Sequence, residues 1–372
     1  MALDSEPSLT SHPATEETPS PDEQTPLLKP DGAAMGDRTP AGIPAPQPRD
    51  DVTTSSSSSP SSASEPRRLP QAIAHRGYKV VAPENSMLAF RAAVEAGAHA
   101  IETDLHLSKD GVVVLSHDAL LRRCFGVDAK VRDCEWGYLA TLRTTREPAQ
   151  PLATLRDLLE YLNRPGLEAV RVILDIKRDD DATEIVRRTA ETLAEVPGIR
   201  PWSERVVSCC WSTEYVKLSK EYLPGFPIAH VGFSSIYARA LANHVPDLSV
   251  SMILYMLAMP VTGWRFIRDM KRSGHPIYVW TVNDESWMEW SIRKELDGVI
   301  TDDPKLFLEV CARATGKEVE ARARRSLIPS IKPRLYDWGR RVRYVVLLTG
   351  IMIIYFFKHG LPSTQVREIL GN

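Results

Sequence analysis

From residue 71 to about residue 312 the chain alternates short β-rich apolar runs with amphipathic stretches. The runs 71–75, 99–105, 112–117, 170–176, 205–210, 227–232, 248–254, 276–282 and 297–301 read as strands, and 84–97, 154–163, 182–195 and 285–295 as helices between them. Strands alternating with helices predict a mostly parallel sheet covered by helices. Nine strand candidates are one more than a (β/α)8, or TIM, barrel needs. Lys109-Asp110-Gly111 is a tight-turn signal, so 99–107 and 112–117 read as a hairpin extension of one barrel strand. The main rival, a doubly wound open sheet, wants a glycine-rich turn after its first strand, and none stands there.

The two ends have a different pattern. Residues 1–70 hold 13 of the 28 prolines, a serine run from Ser55 to Ser59 and no aromatic residue. Such a segment cannot bury enough apolar surface to offset its ordering entropy, and a disordered tail is expected. Within it, Glu23 to Leu28 has the form of an acidic dileucine sorting signal, or is a chance match in a biased tail. Residues 313–343 carry ten basic against three acidic residues, 344–357 run fourteen residues without charge, and 358–372 form a short tail. The run is shorter than the roughly 20 residues of a usual spanning helix. It is expected to be a hydrophobic membrane anchor, crossing a thin bilayer or lying in the interface beside Tyr336 and Trp338; a buried C-terminal core helix is the other reading. The basic collar would draw the domain to anionic phospholipid at about 1 kcal/mol per charge. Positive-inside reasoning then expects the domain on the cytosolic side of an intracellular membrane, such as the endoplasmic reticulum, a lipid droplet, a mitochondrion or a vacuole.

Composition narrows the classes. A net charge of −2 gives no sign of nucleic acid as a partner. Five cysteines without a C-x-x-C spacing argue against a disulfide framework or a zinc cluster and for a reducing compartment. The N-terminus lacks the apolar stretch of a cleaved secretory signal.

Chemistry-bearing residues gather at expected strand ends. His75 and Arg76 close the first strand, where such barrels place catalytic groups, and the planar fork of Arg76 suits a phosphate. In Ala100 to Leu105 the alternation puts Glu102 and Asp104 on one face and Ile101, Thr103 and Leu105 on the other. Two carboxylates side by side in a barrel interior call for a compensating cation; a divalent metal, Mg2+ or Ca2+, resolves the cost, and a solvated rim pair avoids it. Pairing about the Lys109–Gly111 turn brings His117 back beside Thr103 and Asp104, so His75 and His117 could flank one metal. Asp175 and Lys177 share a face of the strand 170–176, either as a third ligand with a phosphate-binding cation or as an interior salt bridge. His106 shares the face of Glu102 and Asp104 as a lesser candidate. Cys209-Cys210-Trp211 reads as barrel core, and Met252, Met256 and Met259 as core or apolar rim.

The ordered series Ala74-His75-Arg76-Gly77, Pro83-Glu84-Asn85, Ile101-Glu102-Thr103-Asp104, Asp110-Gly111, His117-Asp118, Leu174-Asp175-Ile176-Lys177, Val279 to Asn283 and Gly298 to Pro304 resembles the glycerophosphodiester phosphodiesterase family. The resemblance spans roughly residues 71–312. It implies a TIM barrel with an insertion at about 118–150, a divalent metal held by Glu102, Asp104 and Asp175, and His75 and His117 as general acid and base. Arg76, Lys177, Glu84, Asn85 and Trp280 would line the substrate and phosphate site. One departure stands out: the third ligand position usually carries Glu, and here it is Asp175.

In this kind of site a substrate hydroxyl attacks phosphorus, so the bond that breaks depends on which side carries a free neighbouring hydroxyl. The basic collar and anchor favour phosphatidylglycerol, split to diacylglycerol and glycerol phosphate, and the chain is most similar within the family to the phosphatidylglycerol-specific phospholipase C. The alternative is a lysophospholipase D or a phosphodiesterase of soluble glycerophosphodiesters; a further alternative is an inactive lipid-binding tether.

Overall fold

The structure is a computed structural model and describes residues 68–315. All but the last three residues of the 1–70 tail, almost all of the 313–343 linker, the 344–357 run and the 358–372 tail lie outside the described residues.

Nine strands appear in the order read from the pattern: β1 Gln71–His75, β2 Ala100–Leu107, β3 Val113–Leu115, β4 Arg171–Ile176, β5 Val206–Cys210, β6 Ile228–Gly232, β7 Ser249–Ile253, β8 Ile277–Trp280 and β9 Gly298–Thr301. Eight of them pair in parallel around a closed ring, β1-β2-β4-β5-β6-β7-β8-β9 and back to β1. This is a TIM barrel. The ninth, β3, pairs antiparallel with the far end of β2, matching Leu105 with Leu115 and Leu107 with Val113. The Asp110-Gly111 turn makes this hairpin; Gly111 takes φ +85, a conformation glycine adopts without strain.

Alternation along each strand divides two cores. Ile73, Ala100, Ile173, Val207, Cys209, Ala229, Val231, Tyr278 and Ile300 fill the ring. Their sequence neighbours, among them Ala72, Ile101, Val172 and Leu174, pack outward against the helices. The helix Leu155–Leu162 shows why the pattern is legible: Leu155, Leu158, Leu159 and Leu162 fall on its buried face, and Thr154 and Asp157 cap its start reciprocally. Between β3 and that helix, short helical turns at Arg122–Phe125, Val131–Asp133 and Trp136–Leu139 close over a small core of their own, Val114, Leu121, Val131, Leu139 and Leu152.

The expected placement at an intracellular membrane is corrected. Among the described residues no helix is long and apolar enough to cross a membrane. The helix Ala182–Glu195, at 14 residues, is amphipathic and well short of the roughly 20 apolar residues a span needs.

The fold also buries a histidine outside the ring. His230 on β6 lies between the sheet and Tyr237, its ring nitrogen Nδ1 3.0 Å from the Cys210 carbonyl. Burial pushes its pKa down to about 4 from the usual 6.5. The unfolded chain therefore takes up a proton that the folded one refuses between about pH 6.5 and pH 4. Stability is complete above that window and falls through it, by about 3 kcal/mol at its lower end. Urea midpoints measured at pH 7.5 and pH 4.5 should drop more for the parent than for His230→Gln; equal drops would contradict this.

Candidate active site

The inward positions nearest the C-terminal ends of the strands converge on one cleft. β1 contributes His75, β2 Glu102 and Asp104, β4 Asp175, β5 Cys209 and β8 Trp280, with Arg76, Lys177 and Trp211 just beyond their strands. His117 completes the lining from beyond β3, because the hairpin register sets it opposite Thr103.

After β1 the chain turns sharply, with Arg76 at φ 58 and Gly77 at φ +82. A Cβ on Gly77 would come within 2.7 Å of Ala89, so only glycine lets the turn lie against the helix Met87–Glu95. The turn presents Glu84 and Asn85. Asn85 donates to Asp104 Oδ2 at 2.8 Å and accepts from Thr103 Oγ1 at 2.8 Å.

The centre of the site is a cluster of buried carboxylates. Glu102, Asp104 and Asp175 each place an oxygen within 4.8 Å of the others'. Lys177 Nζ sits 2.7 Å from Asp104 and 2.5 Å from Asp175. Arg76 donates through a terminal nitrogen to Glu84 at 2.9 Å. Its Nε lies 3.2 Å from Asp104 Oδ2 yet makes no hydrogen bond, a buried donor left free for another acceptor. Burial raises the Asp104 pKa, but Lys177 and Arg76 outweigh it and hold the carboxyl well below its ordinary range. Glu102 goes the other way: burial, then the charges of Asp104 and Asp175, push it well above.

Three carboxylates share this space with two cations, and among the described residues Glu102 has no ion-pair partner within 4 Å, one of its oxygens accepting instead from the Arg76 backbone N–H at 3.0 Å. Hard oxygen donors with an excess of negative charge fit a divalent ion of the Mg2+ or Ca2+ kind. The shorter arm of Asp175 does not take it out of the cluster, and Trp211 Nε1 fixes its other oxygen at 2.7 Å. His106 stays outside the cluster, paired with Asp180 at 2.7 Å.

Each histidine of the cleft leans on a carboxylate. His75 Nδ1 is 2.6 Å from Asp302, which also accepts from Asn283 at 2.8 Å and lies 3.2 Å from Lys79. His117 Nδ1 is 2.6 Å from Asp118. With each Nδ1–H donating to its carboxylate, the Nε2 atom is the one left for chemistry. Burial lowers the pKa of both below 6.5, with Arg76 adding to the effect at His75 and outweighing neither Asp302 nor burial; at His117 Asp104 opposes it and Lys177 and Arg76 add to it. Asp302 and Asp118 are each held at about 2: burial would raise them, and their histidine and basic partners prevail.

Sequence reasoning placed every residue of the acidic cluster and both histidines in one cleft. It left Asp302, Asn283 and Lys79 without roles, and it set Trp211 aside as core. Cys209 and Cys210 are indeed buried. Trp211 instead donates to Asp175 and stands edge-on to Trp280, ring centroids 6.2 Å apart. The signal was the spacing 207, 209, 211, which points all three side chains inward. Trp280 both packs and lines the cleft, its Nε1 donating to the Ser251 carbonyl at 3.0 Å.

Residues 75–306 match the profile of the glycerophosphoryl diester phosphodiesterase family. A glycerophosphodiester phosphodiesterase of Caldanaerobacter subterraneus is 27% identical over 64% of this chain and 96% of its own. A lysophospholipase D of Mus musculus is 44% identical over 64% of this chain and 85% of its own. The crystal structure of a glycerophosphodiester phosphodiesterase from Thermotoga maritima superposes with a TM-score of 0.51 at 28% identity, covering 65% of this chain and 99% of the other. The family match ends well before the 344–357 run and gives no support to a membrane anchor.

Proposed function

This chain belongs to the glycerophosphoryl diester phosphodiesterase family, and from that premise we propose that it cleaves glycerophosphodiesters and lysophospholipids, releasing the headgroup alcohol. One observation carries the reading: two carboxylate-backed histidines share a cleft with a carboxylate cluster and a guanidinium that has a free buried donor. A phosphodiester needs those parts: a base, an acid and positive charge for the phosphoryl oxygens.

In such substrates the glycerol hydroxyl next to the phosphate is free. One histidine Nε2 takes its proton as the oxygen attacks phosphorus, and the other gives a proton to the departing headgroup oxygen. The P–O bond to the headgroup breaks, and water then opens the cyclic phosphodiester to glycerol phosphate or lysophosphatidic acid. Arg76 and Lys177 hold the phosphoryl oxygens. A divalent ion held by Glu102, Asp104 and Asp175 would add positive charge at the same oxygens. The reading as a phosphatidylglycerol-specific phospholipase C rested on the C-terminal collar and apolar run, almost all outside the described residues, and on the runs Trp280 to Asn283 and Ile300 to Pro304. The lysophospholipase D relative and the phosphodiesterase relatives support the headgroup-releasing reading instead.

Purified full-length protein incubated with glycerophosphocholine, lysophosphatidylcholine, lysophosphatidylglycerol and phosphatidylglycerol, with Mg2+ or Ca2+, is expected to release choline or glycerol from the first three. Mass analysis showing diacylglycerol from phosphatidylglycerol, with the other three untouched, would overturn the proposal.

A further inference from the structure

Arg123 does not line the cleft, yet it joins two of its walls. It sits on the short helical turn Arg122–Phe125 of the segment that follows β3. Its Nε donates to Asp118 Oδ2 at 2.6 Å, and a terminal nitrogen donates to Glu84 Oε1 at 2.7 Å. Asp118 turns its other oxygen to His117, and the same Glu84 oxygen accepts from Arg76. The result is one unbroken chain of hydrogen-bonded groups, His117–Asp118–Arg123–Glu84–Arg76, from a proton-transfer group to a phosphate-binding group.

We infer that Arg123 is a positioning residue that fixes the His117 imidazole relative to the Arg76 guanidinium. The inference rests on the functional reading above. Three features support it. His117 lies beyond a strand of three residues and is about a third exposed. Asp118, which aims it, has Arg123 as its other strong partner. Arg123 is half exposed and its pair with the part-exposed Asp118 adds little to stability, while Glu84 is largely buried, so a purely structural role would show as a lower melting temperature and not as a selective loss of kcat. A guanidinium donates in two directions from one rigid plane; an ammonium is a single point and cannot span Asp118 and Glu84 in the same way.

The test uses the full-length protein and two readouts. Arg123→Gln is expected to lower kcat at least tenfold, part of the hundredfold or more that an aligned acid or base supplies, while KM changes less than threefold. Arg123→Lys is expected not to restore it. Arg122→Gln, which loses only an exposed pair with Asp128, serves as the control and stays at parental kcat. In 15N-histidine-labelled protein the His117 Nδ1–H signal is expected to broaden or vanish in Arg123→Gln while that of His75 persists. Unchanged kcat, a rise in KM alone, full recovery by lysine, or an intact His117 signal would each overturn the inference. If the parent turns over none of the four substrates, the functional reading fails, and the histidine signal still decides the positioning claim.

Discussion

His75→Ala and His117→Ala are each expected to lower kcat/KM for glycerophosphocholine by roughly two to four orders of magnitude, the usual worth of a positioned acid or base. Neither side chain carries the fold. His75 closes β1 at the mouth of the ring, and His117 stands a third exposed beyond β3. Both variants should therefore retain the parental melting temperature within a few degrees. Their losses should not add in the double variant, because removal of either group already interrupts one proton's passage. Asp302→Asn is expected to cost less than His75→Ala and to act through the same histidine, since the amide can favour the wrong ring tautomer. Activity within tenfold of the parent in either alanine variant would remove that residue from the acid–base pair.

The second large effect concerns the carboxylate cluster. Asp104 is buried and touches Lys177, Arg76 and Asn85 at once, so Asp104→Asn keeps the volume and removes the charge those groups converge on. Activity is expected to fall at least a hundredfold, with any residual rate requiring more Mg2+ or Ca2+ than the parent needs. The parent dialysed against chelator should lose turnover and regain it when the ion is returned. A variant with parental activity and parental ion dependence would show that Asp104 is not a ligand.

Much of this site could be read from the chain before any coordinates. Period-two alternation in β2 and β4 fixes which side chains meet inside the ring, and that alone gathers Glu102, Asp104 and Asp175. The Asp110-Gly111 turn fixes the hairpin register, which brings His117 to Thr103. The groups behind the histidines were harder. Asp302 reaches His75 because β9 closes against β1, a contact across 227 positions that no local pattern encodes. Arg123 reaches Glu84 through the packing of an irregular segment with its own small core. The membrane placement went wrong for another reason: it was inferred from residues 313–357, whose charge and apolarity say nothing about the ring that holds the chemistry.

The hairpin gives the two histidines unequal footing. Every ring strand is paired with a strand on each side, whereas β3 is paired over three residues with β2 and on its other side is held only by a single bridge of Val114 with Thr154 and the Leu115 N–H donated to the Ala153 carbonyl. Local opening is cheapest where neighbours are fewest. On gentle warming or in dilute urea, catalysis should thus disappear while the barrel's circular dichroism is still native, because one half of the acid–base pair departs with the arm. The same separation lets the arm be re-cut for a larger or smaller headgroup while the ring remains the anvil on which the phosphate is held.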